Sequence, residues 1–416
     1  MKLLTDVTPL RENPNFRRLW TGSMLSATGG AMTNFALPLQ AWNDTHSTTA
    51  TGGLGVAVFV PLLLIAMPGG SLADRVDRRR LLLAVTVAQI LASGLLFAQA
   101  MAGLRSIWLL YALQAACSAL IAVNAPARQT LIPRLVPKEQ LTAAMALNRI
   151  IFQVAMIAGP GLAGLLTAAA GLKGCYLIDA LSFAGSLYAV IRLPAMSPKT
   201  NPGPGHSKRS GLALSLEGLH YIWRNKILAG TFLADANATF FALPLSLFPA
   251  LNAERFGGDP RILGLFTTAI GVGGMVTAVL SGPLKHFSRH GLLMLLTVSL
   301  WGAAFAVFAV STWLWLTLLA LGVAGAADTF TVVIRGVIVQ VVTPDDLRGR
   351  VNAADYVVGA GVPQLGSLES GLLASMTSPV TSALAGGLLT IAGAVALGAV
   401  LPAFRRYRDT VTSRPA

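Results

Sequence analysis

Four carboxylates interrupt long apolar runs: Asp235, Asp328, Asp355 and Glu369. An ionisable side chain in such a run is costly to keep, so each is a candidate for carrying a proton. A buried carboxyl group favours its neutral form, and cycling between neutral and charged states moves a proton. The competing reading for each is a structural hydrogen bond or a helix cap. Asp179, in Ile178-Asp179-Ala180-Leu181-Ser182-Phe183, opens its apolar run, and a helix-start role is expected for it. Polar side chains are scattered through other runs: Asn34, Gln40, Gln114, Ser118, Asn124, Gln153 and Asn237. They could hydrogen-bond a small molecule or tie helices together. Phe35, Phe240 and Phe241 could stack on aromatic rings or simply pack. No paired His/Cys ligands suggest a metal, and no G-x-x-x-x-G-K-[ST] loop suggests nucleotide hydrolysis. Neither an enzyme nor a cofactor is expected. Cys117 and Cys175 read as small apolar packing residues.

The elements that must position these groups are membrane helices. The chain of 416 residues is 54% hydrophobic and only 12% charged, about half the charge of a soluble domain. About twelve apolar runs are long enough to cross a bilayer, and none alternates with period two, so helices are expected rather than a barrel. The net charge of +14 invites a nucleic-acid reading, but the topology supplies a better one. Of 31 Lys and Arg residues, Arg105, Lys173, Arg255 and Arg261 fall on one side and Arg149 near a membrane face. The rest lie on the other side, which places both termini in the cytoplasm. The partners expected are lipid, protons and a small-molecule substrate, with no nucleic acid, and a monomer is expected. Residues 1–15 are polar and the first apolar run is long enough to span, so no separate signal peptide is expected.

The chain also contains itself twice. T-N-F-A-L-P-L at Thr33 to Leu39 returns as T-F-F-A-L-P-L at Thr239 to Leu245, and Arg128, Pro137 and Gly159 return as Arg335, Pro344 and Gly366. Asn148 maps to Asp355 at the same spacing. Paired halves in so apolar a chain point to a secondary transporter with its site between the repeats. The expected organisation is a bundle over 1–193, a cytoplasmic linker over 194–225 rich in Pro, Gly, Ser and Lys, and a second bundle over 226–416. Within the linker, residues 212–222 read as an amphipathic piece on the membrane surface.

Between the second and third runs stands Gly70-Ser71-Leu72-Ala73-Asp74-Arg75-Val76-Asp77-Arg78-Arg79-Arg80-Leu81-Leu82. It resembles the G-x-L-A-D-R-x-x-R-[RK]-x-x-L loop of the major facilitator superfamily, with Asp77 where many members have Gly. The resemblance implies an all-α membrane protein with the major facilitator fold: twelve transmembrane helices in two pseudo-symmetric six-helix bundles. It implies that Gly70, Asp74, Arg75 and Arg78 belong to a cytoplasmic gate, together with Arg128, Arg335 and Arg350. Asp74 is then expected to meet Arg350 and the helix start near Pro344. The corresponding loop of the second half, residues 282–289, has lost the Asp, with His286 in that region.

The fifth run holds Gly159, Pro160 and Gly164, which resemble the G-P-x-x-G signature of antiporters in the superfamily. The Arg that many proton-drug antiporters carry in the fourth span is absent. In facilitator folds the first, fourth, seventh and tenth spans line the cavity, which puts Asp235 and Asp328 ahead of Asp355 and Glu369. The whole chain resembles the enterobactin-exporter subgroup, through N-P-N-F-R-R-L-W at Asn13 to Trp20, Gly291-Leu292-Leu293-Met294, and Gly349-Arg350-Val351-Asn352. That resemblance implies siderophore export at the inner membrane by proton antiport. Macrolide-type drug exporters share the branch, so multidrug efflux is the alternative.

Overall fold

The computed structural model describes residues 6–75, 77–129, 131–193, 211–280, 289–345 and 347–408. Much of the linker and the loop containing His286 lie outside the described residues, as do the surroundings of Gly70 and the side chains of Asp74, Arg75 and Arg78.

The described residues are helical or in turns and short connections. In chain order the helices are α1 (Thr8–Glu12), α2 (Pro14–Thr45), α3 (Thr48–Arg75), α4 (Arg78–Met101), α5 (Ile107–Gln129), α6 (Ile132–Leu135), α7 (Leu141–Ala170) and α8 (Leu172–Ile191). They continue with α9 (Gly211–Arg224), α10 (Lys226–Phe241), α11 (Phe248–Phe256), α12 (Pro260–Leu280), α13 (His290–Val310), α14 (Leu314–Val342), α15 (Arg348–Met376), α16 (Pro379–Val400) and α17 (Pro402–Arg405). Among the described residues, ten segments are long and apolar enough to cross a membrane, one of them running through α10 and α11. In a bilayer each must satisfy its own backbone, which is why so apolar a chain is so completely helical. Helices α2 and α15, of 32 and 29 residues, match them in length. Polar residues such as Arg17, Asn34, Asp355 and Glu369 interrupt both, and neither is among the ten.

Local signals set several boundaries. The Asp77 side chain accepts from the Arg80 backbone N–H at 2.9 Å and caps α4, so the residue that departs from the family pattern starts a helix. Asn225 caps α10 in the same way, accepting from Ile227 and Leu228. The repeated A-L-P-L has two outcomes. Pro38 is carried inside α2, whereas α10 ends at Phe241 before Pro244. The indole N–H of Trp301 donates to the Ala242 carbonyl at 2.7 Å, satisfying a group the broken helix leaves free.

The chain divides into two compact units, residues 1–44 with 60–208, and residues 45–59 with 209–416. In the first unit α4 packs on α5 and α8, and α7 on α8. Gly159 lets α7 approach Ala31 of α2. In the second unit α14 packs on α12 and α13, α13 on α16, and α10 on α15. Residues 45–59, which the repeat assigns to the first half, belong to the second unit by contact. There the Thr48 hydroxyl donates to the Gly371 carbonyl at 2.9 Å, and Gly52 and Gly55 let the backbone run against Ser367 and Gln364.

Candidate charge-relay site

Three helices of the second unit bring opposite charges together inside the protein. Arg335, six turns into α14, donates through Nη1 to Asp235 Oδ2 on α10. Its Nε lies 3.3 Å from Asp355 Oδ1 on α15. The Arg335 and Asp235 side chains are 12% and 4% exposed, whereas that of Asp355 is 31% exposed. Gly359, one turn beyond Asp355, has no side chain to crowd the guanidinium. Asp328 lies seven residues before Arg335 on α14, two turns away on the same face, within electrostatic reach of Asp235 and Arg335. One cation therefore pairs with two carboxylates, with a third, Asp328, in electrostatic reach, and the fully ionised cluster carries a net negative charge. A proton arriving at any of them changes how Arg335 is shared.

Of the four sequence-nominated carboxylates, three converge here. Glu369 does not: it lies 14 residues beyond Asp355 on α15, about 21 Å along the helix axis.

The repeat-related arginine has a different environment. Arg128 of α5 donates from Nε to Asn124 Oδ1 at 2.8 Å, from Nη1 to Ser23 Oγ and from Nη2 to Ser186 Oγ, both at 2.5 Å. Asn124 in turn donates to Gln89 Oε1 at 2.7 Å. These partners are all neutral. Both arginines, expected in the cytoplasmic gate, are built into polar networks within their own units, Arg128 from the last turn of α5. Arg350 pairs with Glu217 of α9 at 2.5 Å, and its expected partner Asp74 lies outside the described side chains. Helix α9, expected as a surface piece, packs against α15, with Gly218 under the Arg350 backbone.

Asp179 corrects a second expectation. Helix α8 begins at Leu172, with Gly171 before it, so Asp179 lies two turns inside and caps nothing. It is 2% exposed and accepts at Oδ2 from Thr33 Oγ1 of α2 and Ser93 Oγ of α4, both at 2.8 Å.

The polar cavity candidates sort by their bonds. The Gln40 and Gln99 amides donate to each other at 3.1 and 3.0 Å, and Tyr176 Oη donates to Gln40 Oε1 at 2.7 Å. Gln40 is thereby committed, and Phe35 is buried in the core, so in this structure neither presents itself to a ligand. Gln114 and Ser118 are buried on α5, Asn34 is exposed and Gln153 is half-buried. Asn237 donates to the Thr390 carbonyl at 2.9 Å. With Phe240 and Phe241 it lines a largely apolar cavity of about 480 Å³ between α10, α15 and α16. Gly159, Pro160 and Gly164 are buried in α7. The sequence reading missed Ser23, Gln89, Ser93, Gln99, Tyr176 and Ser186. Gln89 and Ser93, four apart in an apolar run, mark one polar helix face.

The chain resembles an enterobactin exporter, EntS, of Shigella boydii, at 29% identity over 415 residues, covering 98% of this chain and 96% of the relative. Its fold resembles that of the nucleoside transporter NupG with a TM-score of 0.71 at 14% identity, covering 95% of this chain and 100% of that one. A POT family transporter in complex with 5-aminolevulinic acid gives 0.75 at 13% identity, covering 94% and 97%. These structures share the all-helical transporter fold. Residues 4–414 match the family described as transmembrane secretion effector, and the chain belongs to that family of the major facilitator superfamily, a multi-pass membrane transporter rather than an enzyme.

Proposed function

We propose that the protein exports a siderophore across the cytoplasmic membrane by alternating access, driven by proton antiport. The likeness to enterobactin exporters over 98% of the chain carries the substrate class. Counting α2 and α15 with the ten apolar segments gives twelve spans, with both termini cytoplasmic, and the chain acts as a monomer.

The three-carboxylate cluster supports the coupling. Ionised Asp235 holds Arg335 and so ties α10 to α14. A proton taken from outside neutralises Asp235, weakens that tie and leaves Arg335 to Asp355 on α15. Release of the proton inside restores the tie. Asp328 stores a proton beside the pair, and Glu369 takes no part. The gate comprises Gly70, Asp74, Arg75 and Arg78, with Arg350 held by Glu217.

The test is deletion of the gene in its host under iron starvation, with intact siderophore measured in medium and cytoplasm by mass spectrometry. The expected result is loss from the medium with accumulation or breakdown inside, rescued by the wild-type gene and not by Asp235→Asn. Unchanged secretion overturns the siderophore reading.

One observation favours a second reading, multidrug efflux: the 480 Å³ cavity at Phe240 and Phe241 suits a lipophilic molecule. In that case the deletion strain keeps its siderophore secretion and gains macrolide sensitivity.

A further inference from the structure

The repeat assigns Asp235 a counterpart. Thr239 to Leu245 aligns with Thr33 to Leu39, and four residues earlier in each helix stand Asp235 and Gly29. The first unit therefore lacks the carboxylate on the equivalent helix. It places one there from another helix. A Cβ built on Gly29 would meet Ser182 Oγ first, and would stand 2.9 Å from Asp179 Oδ1 and 3.0 Å from its Cα. Asp179, together with Ser182 of the same helix, fills the space above Gly29 that a side chain from α2 would take.

Its surroundings differ from those of Asp235. Oδ2 accepts the two hydroxyls of Thr33 and Ser93, while Oδ1 is buried with no hydrogen-bond partner. Among the described residues, the thiols of Cys117 on α5 and Cys175 on α8 lie within electrostatic reach of it, and its side-chain hydrogen bonds come from Thr33 on α2 and Ser93 on α4. No Lys, Arg or His among the described residues pairs with it, and the unit's buried guanidinium, Arg128, is spent on neutral partners. A buried carboxylate without a cation is expensive, and a proton removes the charge at no cost in packing.

We propose that Asp179 is a second proton-carrying group, the first unit's counterpart of Asp235, protonated while the α2–α8 seam is closed and ionised when that seam opens to water. The proposal rests on the antiport reading for its role in transport, but its chemistry is testable alone. The protein gains or loses one proton at one carboxyl oxygen, and the partner is water.

The experiment is infrared difference spectroscopy of the full chain in lipid vesicles, titrated with acid and base without substrate. The wild type is expected to show a carboxylic-acid carbonyl band that titrates, is lost in Asp179→Asn and is displaced in Asp179→Glu. Thr33→Val removes a donor to the anion and is expected to move the midpoint by about one pH unit. An unchanged carbonyl region in a folded Asp179→Asn protein overturns the proposal. If that variant does not fold, unmoved midpoints in Thr33→Val and Ser93→Ala overturn it. An absent Asp179 band alongside export that depends on a proton gradient overturns this proposal and leaves the antiport reading standing. A titrating Asp179 band in a chain whose export ignores the gradient keeps the proton site and overturns antiport.

Discussion

Removing Arg335 would strand Asp235 in the interior with its charge uncompensated, since their ion pair is almost wholly shielded from solvent. Breaking such a pair costs about 3–5 kcal/mol, whereas replacing both partners by apolar groups of similar volume is close to neutral. Arg335→Met is therefore expected to lower thermal stability in detergent sharply, and Arg335→Met with Asp235→Leu to recover most of the loss. A double variant as unstable as the single would place the cost elsewhere, in Asp355 or Asp328. The residues of this cluster were each visible in the sequence as rare charges in apolar runs. Their meeting was not, because one residue is 100° of helix rotation and no local pattern fixes which way a charged side chain faces. Asp179 shows the same limit. Its place at the start of an apolar run suggested a cap, but α8 starts seven residues earlier, at Leu172.

At the scale of elements, small residues decide which helices touch. Gly366 lies against the Thr239 and Phe240 carbonyls of α10, and its repeat partner Gly159 lies against Ala31 of α2. A methyl group at Gly366 has only backbone to meet, and backbone cannot swing aside. Gly366→Ala is expected to push α15 from α10 and destabilise the protein by about 1–3 kcal/mol, measurable as a lowered Tm. An unchanged Tm would mean that the helices separate freely. The A-L-P-L repeat shows why copied sequence need not give copied structure. Pro38 removes one backbone donor and α2 tolerates it, whereas before Pro244 the helix stops, and Trp301 binds a carbonyl that is left free. The bond that stabilises the break comes from α13, beyond the reach of any local signal.

For the whole molecule, the distribution of basic residues predicts orientation. Reporter enzymes fused at the two termini should be active only in the cytoplasm, and one inserted near Arg105 should be active only outside. A reversed pattern would overturn the topology and with it the direction assigned to proton flow. Composition alone determined that this chain lives in a membrane as helices, because an apolar backbone in lipid has few other ways to satisfy its hydrogen bonds. The near-constant spacing of the repeat pointed to two related halves, and the loop at Asp74 pointed to the superfamily. The tertiary structure decided the rest. It put Arg335 between Asp235 and Asp355, gave Arg128 only neutral partners, and brought Asp179 over Gly29. It also grouped residues 45–59 with the second unit. Those outcomes depend on helix rotation and on close approach between segments far apart in the chain, and a sequence read by local pattern records neither.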